Sequence, residues 1–590
     1  MKICLVNSNI SQKGSDGDMQ IVNFQRGFLS LAAFLEKNGY TVNVVDLGWL
    51  YKQGKLEINA DFHRNAAKHI IKQGINLIGF NTRCDTYPNV VNLARKCKEL
   101  NPNATIIFGG PQASFTDEET LKKLPFVDIV VRGEGEYTLL ELANALNANK
   151  PLTNIQGITY RENGRVIRNI DREHIKDLDS LPLPAYHLID KYIRSDDKLL
   201  FKYFCAYLET GRGCPYRCTF CGSTLMDRNH NRLRSPQEII KEIILLKNKY
   251  HFNYFIFGHD HFLANKKMVK RICRSIVAKK LDIKWTCSSR VDAIGMLDEK
   301  LLETMSKAGC VGIFFGVESG SQRIQKIIRK NINVSLVPEV IQECQKHGIY
   351  ARAAFIMGFP EETREDMNAT LELALKCRQI KKCEPHIRLL GPMAGTDIFA
   401  RNKDRLVFTG FRSDMSGGPL VNLKSNMDLA KKYPSLFSVF YVVKPRHVPT
   451  TLPNEAVTTF VKLLYTYPMS TYLGIKELKI TPLDLLEELK KWAKKKGSGS
   501  SKKSSIIKNL ESKKYFPLFL KYLYERNKVS FDFLKPITAA EEGKCEKYIR
   551  QSKLLHRYIR EKSAFKSNTI LRKMYETMHF DNTARIREAA

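Results

Sequence analysis

Gly211-Arg212-Gly213-Cys214-Pro215-Tyr216-Arg217-Cys218-Thr219-Phe220-Cys221 is the stretch that decides how the chain is read. Its cysteines are separated by three and then two residues, just after Cys205 to Thr210, which reads as a strand. Three thiolates in one short loop can hold three corners of a cubane iron–sulfur cluster. The fourth iron then lacks a protein ligand and is open to a small molecule, as in reactive metal centres and unlike closed structural ones. Zinc is the alternative occupant. Against it, His230 stands alone beyond Cys221, and no other cysteine lies at finger spacing.

Outward from this loop, residues 201–400 alternate strand and helix signals. Strands are expected near Tyr254 to Phe257, Lys284 to Cys287, Gly312 to Gly316, Ala353 to Met357 and His386 to Leu390. Helices fall between them. One runs from Pro236 to Lys249 with Ser235 as N-cap; another runs from Glu299 to Ala308 and is stopped by Gly309. Repeated units of this kind fit a full or partial α/β barrel with its chemistry at the carboxyl mouth.

Residues 1 to about 147 alternate in the same way, with strands at Lys2 to Val6, Val42 to Val45, Leu77 to Phe80, Thr105 to Phe108 and Ile129 to Val131. Such a pattern predicts a parallel sheet covered by helices on both faces, with ligands received at the loops beyond the strand ends. Those loops hold Asn81-Thr82-Arg83, Gly109-Gly110-Pro111 and Arg132-Gly133-Glu134-Gly135. Residues 148–200 read as a connector with a small hairpin around Glu162-Asn163-Gly164 and a stiff Leu181-Pro182-Leu183-Pro184 segment. After residue 400 the alternation ends. Residues 401–590 read as a mainly helical domain, interrupted by a flexible Gly/Ser/Lys run at 495–505.

The chain of 590 residues exceeds one core, and its 43% apolar content excludes a largely disordered polymer. The formal charge of +34 would suit anionic partners, but lysine-rich solvated helix faces are the reading preferred for it; nucleic acid is not favoured. Most of the 14 cysteines sit singly among apolar residues and read as core positions. No membrane span or signal peptide is expected, and a cytoplasmic location follows.

The cysteine loop, with Phe220 before its last cysteine, resembles that of the radical S-adenosylmethionine (SAM) superfamily. Further segments are similar: Phe257-Gly258-His259-Asp260, where only Asp260 of an acidic pair carries over; Ser289-Arg290-Val291-Asp292; Gly316-Val317-Glu318-Ser319-Gly320-Ser321; and Gly358-Phe359-Pro360-Glu361-Glu362-Thr363. The first region resembles the cobalamin-binding module that precedes this barrel in one large subgroup, through residues 108–114 and 131–136. The Asp-x-His-x-x-Gly loop that supplies histidine to cobalt elsewhere is absent, the corresponding region reading Cys84-Asp85-Thr86-Tyr87-Pro88.

The resemblance implies an α/β chain with a Rossmann-like cobalamin-binding domain, a radical SAM partial barrel and a helical C-terminal domain. It implies that Cys214, Cys218 and Cys221 hold a [4Fe–4S] cluster, and that Phe220, Asp260, Arg290, Glu318 and Ser319 meet SAM. Thr82, Gly109, Gly110, Pro111, Gly133, Glu134 and Gly135 would meet cobalamin. The implied activity is methylation of an unactivated carbon on an unidentified substrate, such as a peptide or natural-product intermediate, with flavodoxin or ferredoxin as electron donor. A rearrangement or cyclisation with the same cofactors, and a tRNA methylthiotransferase-like activity, are the alternatives. The last requires a second three-cysteine cluster in the first domain, where only Cys4, Cys84 and Cys97 are available.

Overall fold

The computed structural model describes residues 1–10, 26–71, 75–190, 205–294, 298–408, 413, 419–496, 515–532 and 534–541. Most of the Gly/Ser/Lys run near residue 500 and the tail from 542 lie outside the described residues.

The first sheet contains β1 (Lys2–Asn7), β2 (Thr41–Asp46), β3 (Leu77–Asn81), β4 (Thr105–Gly109), β5 (Ile129–Val131), β6 (Ile158–Glu162) and β7 (Arg165–Arg168) in the order 2-1-3-4-5-6-7. The first five are parallel. Along β1, Ile3 and Leu5 enter one apolar core while Cys4 and Val6 enter another. Side chains alternate across a strand, so a sheet covered on both faces needs apolar residues at every position. The hairpin expected in the connector is the antiparallel edge of this sheet, with β6 paired to β5. Tyr160 on β6 is buried in the first core, which draws the hairpin onto the sheet.

The second sheet consists of six parallel strands in sequential order: β8 (Cys205–Glu209), β9 (Tyr254–Gly258), β10 (Lys284–Arg290), β11 (Cys310–Glu318), β12 (Tyr350–Met357) and β13 (Cys383–Leu389). It is a partial barrel, helices outside. The helix Pro236–Tyr250 starts with Ser235 accepting a hydrogen bond from the Glu238 amide, as its sequence predicts.

A buried charged knot joins the two sheets. Arg26 donates to both oxygens of Glu242 (3.2 and 3.3 Å) and pairs with Glu209 at 3.0 Å, and the Tyr186 hydroxyl donates to Glu242 at 2.6 Å.

The region after residue 400 divides between the two halves. Residues 419–441 cover the first sheet, where Gln112 Nε2 donates to the Leu436 carbonyl at 2.9 Å and Asn92 Nδ2 to Asn426 at 2.7 Å. The described helices between Leu452 and Glu541 pack on the barrel, tied by Arg364 to Asp484 (2.8 Å) and Glu487 (2.5 Å). Leu436, Phe437, Val439 and Phe440 are buried in the first domain's second core, Phe437 beside Tyr87 with ring centroids 5.2 Å apart.

Candidate active site at the barrel mouth

The cysteine loop leaves the end of β8. Gly213 has φ of +89°, and a Cβ there would stand 2.0 Å from the His230 carbonyl oxygen, so glycine is required. The loop is held from below: the Thr219 amide donates to the Ile328 carbonyl at 3.0 Å, and the Ile398 amide donates to the Thr219 carbonyl at 3.0 Å. The Cys218 thiol faces the Arg329 carbonyl at 3.9 Å. Cys218 is buried, Cys214 and Cys221 half-buried. Burial pushes the Cys218 thiol up to about 11, while Lys330 and Arg290 pull it down. Phe220 packs edge-on against Phe359, ring centroids 5.8 Å apart.

Glu318 ends β11 in a left-handed conformation (φ +70°), where the pairing with β12 shifts register. That bulge aims its carboxylate inward, and Lys330 Nζ donates to Oε1 at 2.9 Å. Burial opposes the charge on Lys330, but the Glu318 carboxylate and Cys218 outweigh it and raise its pKa. Arg290, at the end of β10, is gripped by Asp292 through Nε (2.9 Å) and Nη2 (2.6 Å), and donates to the Lys330 carbonyl at 2.6 Å. Its guanidinium lies 3.7 Å from the ring centroid of Tyr216. Its Nη1 is buried with no partner among the described residues.

A cavity of about 520 Å³ opens at this mouth, lined by Phe220, Cys221, Asp227, Asp260, Glu318 and, from the first domain, Pro111. Asp227 is pushed up to about 6 by burial and by neighbouring Asp260, against the pull of Arg232, which donates to it at 3.0 Å. His386 and Arg388 on β13 also line the cavity, with Arg388 Nε donating to His386 Nε2 at 2.8 Å.

The expected residues divide by position. Phe220, Cys221, Asp260, Glu318 and Pro111 share the cavity. Ser319 is fully buried and turned away, its hydroxyl 3.1 Å from that of Thr370. Thr82 is likewise buried, donating to the Gly109 carbonyl and accepting from the Ala113 amide, both at 2.8 Å; it shapes the loop that presents Pro111. Gly110 (φ +96°) completes that turn, since a Cβ would meet Asn81 at 2.2 Å. Gly109 ends β4, and Gly133 accepts no side chain easily at φ +69°. Gly135 begins the helix Gly135–Asn147. Glu134 reaches across the domains, accepting from Arg212 (2.6 Å), Arg232 (2.8 Å) and the Ile175 amide (2.7 Å).

Sequence reasoning missed Asp227, Lys330, His386 and Arg388. Alternation along β13 signals His386 and Arg388 as sharing one face. Asp227 and Lys330 sit in irregular segments with no period to betray them. Cys4, Cys84 and Cys97 are buried in the first domain's core. Among the described residues no three His, Cys, Asp or Glu side chains close around a single metal ion, and no helix is long and apolar enough to cross a membrane.

Compared with known proteins, residues 208–374 match the radical SAM superfamily and residues 22–143 the B12 binding domain. An uncharacterized methyltransferase of Pyrococcus horikoshii, PH0819, is 36% identical over 52% of this chain and 66% of its own length. The anaerobic magnesium-protoporphyrin IX monomethyl ester cyclase of Rubrivivax gelatinosus is 28% identical over 47% of this chain and 50% of its own. The chain thus spans between about half and two thirds of these relatives' lengths. The cobalamin-dependent SAM radical enzyme OxsB, solved with aqua-cobalamin and SAM bound, shares the fold, with a TM-score of 0.57 at 17% identity over 98% of this chain and 84% of its own. A radical SAM domain implies a [4Fe–4S] cluster and SAM, and a B12-binding domain implies cobalamin. The thiol donor set, the orphaned Arg290 Nη1 and the shared cavity fit those groups.

Proposed function

From a chain that carries a B12-binding domain followed by a radical SAM domain, we propose a cobalamin-dependent methyltransferase acting on an unactivated carbon. The observation that supports it is the cavity itself, which is lined at once by Cys221 of the cysteine loop, Glu318 of the barrel and Pro111 of the first domain. When bound, the cluster and SAM supply a hydrogen-abstracting radical, and cobalamin supplies a transferable methyl group. Cys214, Cys218 and Cys221 would hold the cluster, and Phe220, Glu318 and Asp260, which line the cavity, would hold SAM, the two carboxylates taking its polar groups. Pro111, with Gly109, Gly110 and Gly133 in the loops beyond the strand ends, would receive the corrin. An external one-electron donor of the flavodoxin or ferredoxin kind completes the system. Phe314, Ile356 and Met393 give the cavity an apolar lining suited to an unactivated carbon.

Anaerobic reconstitution with iron, sulfide and cobalamin tests this reading. SAM is expected to change the electron paramagnetic resonance spectrum, strong reductant to yield deoxyadenosine, and methyl-labelled SAM to label the product. Zinc in place of iron, or no deoxyadenosine, would refute it. The cyclase among the relatives supports a second reading, rearrangement or cyclisation with the same cofactors; deoxyadenosine without label in the product would select it.

A further inference from the structure

Two cations are buried beside Cys218. The Cys218 thiol faces the Arg329 carbonyl at 3.9 Å; Lys330 is the next residue, and Arg290, which donates to the Lys330 carbonyl at 2.6 Å, is buried with it. Neither can swing away. Lys330 is pinned by Glu318 at 2.9 Å, and a side chain at position 316 would collide with its Nζ at 2.9 Å. Arg290 is gripped by two Asp292 oxygens, by the Lys330 carbonyl and by the face of Tyr216, a residue of the cysteine loop itself. Glu318 and Asp292 are the anions facing them. Each cation has one anion to its side, yet Arg290 Nη1 remains buried without an acceptor among the described residues. Leaving a charged donor unsatisfied in the interior is costly, so Nη1 is a donor available to a group bound at this mouth.

We propose that Arg290 and Lys330 are positioning residues that compensate the negative charge of a three-thiolate cluster, with Arg290 Nη1 donating a hydrogen bond to its sulfur. The assignment rests on the cluster reading above. Three thiolates on a cubane carry net negative charge, which grows by one when the cluster accepts an electron. A fixed cation a few ångströms away in a low-dielectric site stabilises the reduced state more than the oxidised one. The charge on Arg290 should therefore raise the cluster's reduction potential and ease its reduction. Hydrogen bonds to cluster sulfurs act in the same direction.

The test is a redox titration of the reconstituted full chain, followed by electron paramagnetic resonance without SAM. Arg290→Gln should make reduction at least tenfold less favourable, a fall of about 59 mV for a one-electron couple. Arg290→Lys, which keeps the charge and loses the fork, should fall less. Asp292→Asn removes the anion that offsets Arg290 and should move the potential upward. Lys307→Gln, a distant exposed charge change, should leave it unaltered. If Arg290→Gln holds no cluster, Asp292→Asn decides alone. An unchanged potential in Arg290→Gln with an intact cluster, or an unchanged or lowered potential in Asp292→Asn, overturns the proposal. A wild-type chain that assembles no SAM-responsive cluster would instead overturn the functional reading beneath it.

Discussion

Lys330 reaches Glu318 across the bare backbone of Gly316: its Nζ lies 2.9 Å from Glu318 Oε1, and a Cβ on residue 316 would stand 2.5 Å from that oxygen. The glycine is there because two charged side chains occupy the space its own side chain would fill. Both partners are nearly buried, so the pair holds only while its geometry is kept.

Gly316→Ala is accordingly expected to break the pair. An uncompensated charge would be left at the mouth, at a cost of about 3 kcal/mol. Urea denaturation of the metal-free chain measures it, and a midpoint equal to wild type would show that the pair tolerates displacement.

Alanine at Cys214, Cys218 or Cys221 should each abolish cluster assembly, seen as lost iron and sulfide after reconstitution, with far-ultraviolet circular dichroism unchanged. Cys205→Ala, at a buried strand position on β8, is the control and should keep its cluster. Full iron loading in any of the first three would remove that residue from the ligand set.

The knot between the sheets should make stability acid-sensitive. Although burial opposes its charge, Arg26 and Arg212 hold the Glu209 carboxyl down at about 2, from an ordinary 4.5. A depressed carboxyl contributes stability that is whole above 4.5 and disappears as pH falls toward 2; here it amounts to about 3 kcal/mol. Glu209→Gln should therefore be weaker than wild type at pH 7, with the gap narrowing below pH 4.5 and closing only as pH falls through about 2 in urea titrations. A constant gap across that range would count against the assignment.

Asp227 should titrate near pH 6 in the metal-free chain, because burial and then Asp260 disfavour its charge. A raised carboxyl weakens the fold as pH climbs from 3.8 through about 6. Difference infrared spectroscopy reads the titration directly. Asp260→Asn should shift it downward, and no shift would mean that burial acts alone.

The strands were legible because parallel strands leave nearly continuous apolar runs, buried on both faces at Leu77–Asn81 and buried on one face with Phe314 lining the cavity at Cys310–Glu318. The cysteine loop was legible because its three cysteines lie within eight residues of one another. Other features depend on distant residues meeting, and no local signal records that. Glu134, expected at the corrin, bridges Arg212 and Arg232. Ser319, expected at SAM, faces Thr370. The hairpin at 158–168 reads as a connector until β5 supplies an open edge to pair with. Residues 419–441 read as part of a helical tail until their apolar side chains find the first domain's core.

What the sequence alone determined is chemistry carried by near neighbours: a trio of thiols in one loop, and alternating elements whose periodicity dictates layered sheets. Tertiary structure alone decided which charges are neutralised and which face the cavity. Lys330 and Arg290 beside Cys218, or Asp227 beside Asp260, act through distance and burial. Electrostatic energy depends on separation in space and on the dielectric between the charges, and neither can be computed from position along a chain.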